Sequence, residues 1–183
     1  MAIAIGAAAL ACGATGAALY RCRPRDPIFE VQNIELKGFN VRFAKLMAVV
    51  DAQLVITIKV INPNVAPIEY TSTTMDIFYQ GVLLGQAIVE AGDQGPNSKE
   101  VIQVQAKLDG QKMTKNLKEL LTDVRKREMC MKSVVTIKGH ARLWKWTHDF
   151  VVHVESTIKV DPVYLVVIDQ DNKVHMELAP LVS

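Results

Sequence analysis

The chain has 183 residues, 50% hydrophobic and 22% charged, with a formal net charge of +2 at pH 7. That length and composition suit one globular domain able to bury a core without disulfides or metal, and exclude wholesale disorder. The charge is uneven: Arg21, Arg23 and Arg25 lie in an N-terminal stretch without acids, and removing them leaves 18 basic residues against 19 acidic ones. A folded part so near neutrality lacks the electrostatic footprint of a nucleic-acid binder.

Met1–Tyr20 is uncharged and rich in Ala and Gly, with Ile3, Ile5, Leu10 and Leu19 as its most apolar side chains. About 20 such residues cross the hydrocarbon core as a helix, so residues 1–20 are read as a transmembrane anchor. A cleaved secretory signal is a second reading, although no basic stretch precedes the apolar run. A lipidated Cys12 is a third, with Ala9 standing where a leucine is wanted. The arginines that follow favour a cytosolic position for the rest of a single-pass protein, in the plasma membrane or an endomembrane. Juxtamembrane Cys22 is a candidate for palmitoylation, with an unmodified interfacial cysteine as the alternative. Cys130 is then alone, so the domain has no internal disulfide framework. No Asn-x-Ser/Thr sequon occurs.

Residues 21–27, with Pro24 and Pro27, form a basic linker. Beyond it, side chains alternate with the period of two that marks half-buried strands. A first strand, with an irregular pattern, is expected over 28–36. Leu54, Ile56, Ile58 and Val60 share one face of Gln53–Ile61, which ends at Asn62-Pro63-Asn64, a turn because Pro63 cannot donate to a ladder. Thr73–Gln80 is a further strand, and Gly81 and Gly85 bracket a short Val82–Leu84 piece. Gly92–Asn97 reads as a loop. In Val101–Leu108 the set Ile102, Val104, Ala106 and Leu108 alternates with polar residues.

Gly110–Arg127 breaks the pattern. Met113, Leu117, Leu120, Leu121 and Val124 have amphipathic-helix spacing, with Asp109 or Thr114 as N-cap and Arg125, Lys126 and Arg127 in the last turn. Strands resume at Ser133–Gly139 and Phe150–Val160, where Phe150, Val152, Val154, Ile158 and Val160 face one way. After Pro162, residues 163–183 read as a hairpin extension with a polar turn at Asp169–Lys173. Many short strands and one helix imply a mainly antiparallel β-sandwich over residues 28–162.

Catalysis needs convergent polar groups, and the residues supply no phosphate-cradling loop, no nucleophile elbow and no evident partner for Cys130. His148 and His153 are an odd number apart, so on one strand they face opposite ways and suit no shared metal. Asp169-Gln170-Asp171-Asn172 opens like a calcium loop but fails at Lys173. No cofactor is expected. Trp144 and Trp146 are candidates for an interfacial or ligand-stacking patch, against ordinary rim packing.

Ile58-Lys59-Val60-Ile61-Asn62-Pro63-Asn64, then Ile68-Glu69-Tyr70, Met75-Asp76-Ile77-Phe78-Tyr79-Gln80-Gly81 and Leu84-Gly85, together resemble the late-embryogenesis-abundant type 2 (WHy) domain, including harpin-induced-like plant membrane proteins. The resemblance covers most of residues 28–161. It implies a fibronectin- or immunoglobulin-like sandwich carrying one helix, a plant or algal setting, association with desiccation stress or defence, and no catalytic residues. Asn62, Pro63, Asn64, Tyr79, Gly81 and Gly85 carry over as a structural signature. Two departures stand out: the long polar or basic stretch before the anchor is missing, and residues 163–183 are extra. The function expected is a membrane-tethered, non-enzymatic interaction or protective module with an unnamed protein or lipid partner. Lipid binding or transfer at a membrane is the alternative.

Overall fold

β-Branched and aromatic side chains on alternate positions favour a pleated surface with one buried face, and ten strands form on that basis among the described residues. The computed structural model describes residues 24–44, 47–114, 116–143 and 146–178. Met1–Tyr20, Cys22 and Trp144 lie outside the described residues, as does the side chain of Trp146. Among the described residues no helix is long and apolar enough to cross a membrane.

In chain order the elements are β1 (Ile28–Ala44), β2 (Met47–Ile61), β3 (Ile68–Tyr70), β4 (Thr73–Tyr79), β5 (Val82–Val89), β6 (Gly92–Gln94), β7 (Lys99–Leu108), α1 (Gly110–Thr114), α2 (Leu117–Lys126), β8 (Met129–Leu143), β9 (Trp146–Asp161) and β10 (Val166–Leu178). Every pairing is antiparallel. The strands run in one hydrogen-bonded sheet, β1-β2-β7-β5-β4-β8-β9-β10, with β3 continuing β4 along β8 and carrying β6. The mainly antiparallel β architecture expected from the alternation is what forms. It is one continuous curled sheet, however, where two separately bonded sheets of an immunoglobulin-like sandwich were expected. The curl brings β1 and β10 together, and their contacts are side chain to backbone.

The core lies inside the curl. Leu54, Ile56, Ile58 and Val60 of β2 face Val152, Val154, Ile158 and Val160 of β9 and Val104 and Ala106 of β7 within it. The strand registers define two ends. At the linker end sit Pro24–Pro27, the β2–β3 loop, the β6–β7 loop and the end of β10. At the helix end sit α1, α2 and the β4–β5 and β9–β10 turns.

Several boundaries differ from the sequence reading. β5 does not stop at Gly85 but runs through it. A Cβ there would sit 2.1 Å from the Lys107 carbonyl oxygen, so the close approach of β5 to β7 requires glycine. Residues 164–178 form no hairpin. Val166–Leu178 make the single strand β10, paired with β9 from Asp161 to Phe150, and Asp169–Asn172 lie inside it. The polar residues that read as a turn are seam residues: Gln170 and Asn172 bond to the backbone of β1. The helical region is two helices. Asp109 Oδ1 accepts from Gln111 N (2.9 Å), so Asp109 starts α1, whereas α2 begins at Asn116 without a side-chain cap. Of the apolar residues on α2, Leu120 packs on the core while Leu121 is 61% exposed.

Candidate functional site

Asn62-Pro63-Asn64 organises the linker end. Asn62 is 1% exposed. Its Nδ2 donates to the carbonyls of Ala66 (3.0 Å) and Gly95 (2.9 Å), and its Oδ1 accepts from Asn64 N (3.0 Å). One amide thereby closes the β2–β3 loop and ties it to the β6–β7 loop. Asn64 faces outward and holds the incoming chain: its Oδ1 accepts from Arg25 N and its Nδ2 donates to Arg25 O, each at 2.8 Å. Pro63 has no N–H to satisfy at this crowded point. Nearby, Gln94 is buried and donates from Nε2 to Val60 O (2.9 Å), while its Oε1 has no partner among the described residues.

The β2–β3 loop and the incoming linker rim an apolar pocket of ≈220 Å³. Pro27, Ile68, Ala141, Phe150, Val152 and Met176 are among its apolar lining, and Asn62, Asn64 and His148 are its polar points. Phe150 lies across Gly139, where an added Cβ would come within 2.7 Å of the ring. His148 lines the pocket, while His153 is exposed on the opposite face of β9. Deeper inside the curl is a smaller apolar cavity of ≈60 Å³, lined in part by Ile34, Leu54, Ile56, Val154 and Ile158. A larger hollow of ≈630 Å³ beside Glu69 and Asp93 is an open surface trough.

The other signature residues sit at the helix end. Gln80 (φ 48°) and Gly81 (φ 74°) are both left-handed, as the two-residue turn between β4 and β5 demands. Tyr79 is 2% exposed, and its Oη donates to Asp123 Oδ2 (2.8 Å), docking α2 on the sheet. Burial, then the bonded Asp123 carboxylate, pushes the Tyr79 phenol up to about 12. A second clamp joins α2 to the β9–β10 turn. Arg127 Nε (2.9 Å) and Nη2 (2.7 Å) both donate to Asp161 Oδ2, and Tyr164 stacks on the guanidinium at 4.3 Å. Asp161 Oδ1 accepts from the amides of Val163 and Tyr164. Burial alone would raise the Asp161 carboxyl, but those amides and Arg127 outweigh it and hold it below the usual range.

The signature therefore divides between the two ends: Asn62, Pro63 and Asn64 at one, Tyr79, Gly81 and Gly85 at the other. From the sequence Arg25 was read only as a juxtamembrane cation and Phe150 only as a core-face residue, and Met176 was not singled out. Nothing marks Phe150 and Met176 as pocket residues there, because a pocket wall and a core face use the same side chains, and Arg25 bonds to Asn64 through its backbone, which its side chain does not announce. Chemically reactive groups are sparse. Thr136 Oγ1 and His153 Nδ1 are 3.1 Å apart on an exposed sheet face, with nothing to exclude water. Cys130 is exposed. Among the described residues no three metal-binding side chains converge.

A family model for late embryogenesis abundant protein, LEA_2, matches residues 57–158, from within β2 to within the last, turn-side residues of β9. The chain belongs to the LEA_2 family. No curated protein matches the chain. Among solved structures the LEA_2 chain is similar to a protein from Archaeoglobus fulgidus, known by its crystal structure. The two share 14% identity over 81% of this chain and 100% of that one, at a TM-score of 0.35, too loose a superposition to bear on the fold. The LEA_2 match takes in the Asn62 knot, the Tyr79 turn and the close approach at Gly85, and leaves β1 and β10 outside it.

Proposed function

We propose that this LEA_2 chain is a membrane-tethered, non-enzymatic protective or interaction module, working in desiccation stress or defence in a plant or algal setting, with its linker end toward the bilayer. Residues 1–20 are the tether, and the arginines beside them favour the cytosolic side. The observation that carries the reading is the Asn64–Arg25 clamp, two bonds that fix the incoming linker beside an apolar pocket. A tether secured there presents Val65 and Leu178, both exposed, to whatever surface holds the anchor. Family membership supports the stress association. The open placement of Cys130 and of the Thr136–His153 pair supports a non-enzymatic role, since neither has an enclosed site for a reacting atom.

The full chain with a C-terminal tag is expected to float with vesicles after a carbonate wash, and its tag to be digested by protease added to the cytosolic face. Release by the wash, or a mature chain beginning after Tyr20, sinks the tethering. Protection of the tag reverses the orientation.

The ≈220 Å³ apolar pocket favours a second reading, lipid binding. Native mass spectrometry of the full chain, released from nanodiscs of defined lipid, is expected to retain bound lipid. Lipid-free protein under conditions that preserve the fold sinks this reading.

A further inference from the structure

The pocket and the internal cavity lie on one line. Along β9, Phe150 and Val152 face the pocket, while Val154, Ser156 and Ile158 face the cavity. Along β10, Leu178 and Met176 face the pocket and Gln170 the cavity. Alternate residues of a strand share a face, so the two hollows are successive compartments of one interior. Val60 and Val174 divide them: both pack with the core, and neither lines either hollow. From Phe150 to Ile158 the strand advances roughly 26 Å at ~3.3 Å per residue. One acyl chain occupies about 15 Å, half the ~30 Å hydrocarbon core of a bilayer. The deeper lining is apolar apart from Lys132, Ser133, Ser156 and Gln170.

The wall of this interior is weakest where β10 meets β1. Among the described residues each of these strands has one ladder neighbour, and no backbone pairing joins them. Side-chain amides stand in for it. Gln170 Oε1 accepts from Val31 N (2.8 Å), Asn172 Nδ2 donates to Phe29 O (2.6 Å), and Gln170 Nε2 donates to Asn172 Oδ1 (2.8 Å). Phe29, Val31 and Gln170 also line the cavity. A change of side-chain rotamer releases such a link, whereas a ladder opens only if a strand is displaced. Both seam strands lie outside the family match.

Building on the lipid-binding reading, we propose that the interior takes a single long acyl chain, with its polar end at the linker end and its tail in the inner cavity. The chain enters as β10 parts from β1, with Gln170 and Asn172 as the latch. Parting is required because the closed cavity of ≈60 Å³ is smaller than the ~150 Å³ that holds benzene.

The test uses the full chain in phosphatidylcholine nanodiscs. One arm carries palmitic acid with a photoreactive diazirine near its methyl end, the other a phosphatidylcholine with the same acyl chain. Adducts are mapped by mass spectrometry. Adducts are expected on the cavity-facing stretch Val154–Ile158, from the free acid alone, the phospholipid alone or both, and each pattern assigns the source. A second protein has its three native cysteines replaced by serine and carries Val31→Cys with Gln170→Cys, joined by a reducible bis-methanethiosulfonate bridge. Deep adducts are expected to fall at least five-fold when bridged and to return on reduction, which also shows that the variant folds. Gln170→Ala with Asn172→Ala is expected to speed labelling several-fold. Adducts confined to Phe150, Val152 and Met176 overturn the channel and leave lipid binding standing. Deep adducts untouched by the bridge overturn the latch. Absence of any adduct in both arms overturns the proposal together with the reading beneath it.

Discussion

Asn62 shows how one side chain holds several segments. Its amide satisfies two carbonyls and one N–H at a site closed to water. Replacement by alanine strands all three, and each stranded group costs about 1–3 kcal/mol, less where water can enter. Asn62→Ala is therefore expected to lose about 3 kcal/mol in urea unfolding of the detergent-solubilised full chain. Asn64→Ala, on the exposed side, is expected to lose about 1 kcal/mol. Equal losses would mean that the buried amide is not the organising group. Gly85→Ala drives a methyl into the Lys107 carbonyl, and overpacking of this kind costs about 1–3 kcal/mol.

Helix α2 is a loosely held element. Leu120 packs on the core, Leu121 does not, and the Tyr79–Asp123 bond does much of the docking. Tyr79→Phe keeps the ring and removes that bond. Amides of α2 are expected to exchange about ten-fold faster, consistent with a loss of ~1.4 kcal/mol, while β7 and β8 stay protected. The same phenol makes the protein sensitive to alkali. Its folded value of about 12 lies above the ordinary 10.0. Its contribution is complete below pH 10 and is lost as pH rises through the folded value. Phenolate absorbance and loss of α2 protection should rise together in the wild type, and the exchange change should be absent from Tyr79→Phe.

At the scale of the whole molecule, the curl depends on closures that are not ladders. The β1–β10 seam is one, and the Asp161–Arg127–Tyr164 cluster at the helix end is another. Asp161 lies below its ordinary 3.8, so its contribution is present above that value and is lost as pH falls through the lower, folded one. Asp161→Asn is expected to be less stable at neutral pH and to show a flatter acid limb in a pH series of thermal melts. An unchanged acid limb would remove Asp161 from the account. The asparagines, glycines and tyrosine of the signature were legible as positions, and the structure supplies their work: a loop knot, a left-handed turn, a close strand approach and a helix dock. The pocket was not legible, because Phe150, Val152 and Met176 look like any other inward residues of a strand.

Local chemistry determined the elements. Period-two alternation places β2, β7 and β9, proline ends β2 at Asn62, and a helical stripe follows Asp109, since each depends on near neighbours alone. Tertiary structure decided what those elements enclose. Asp169–Asn172 has the composition of a turn; the ladder with β9 makes it a strand, and the approach of β1 gives its side-chain amides their partners. Closure of the sheet, the hollows along β9 and the clamp on Arg25 all join residues far apart in the chain, where no local preference reaches.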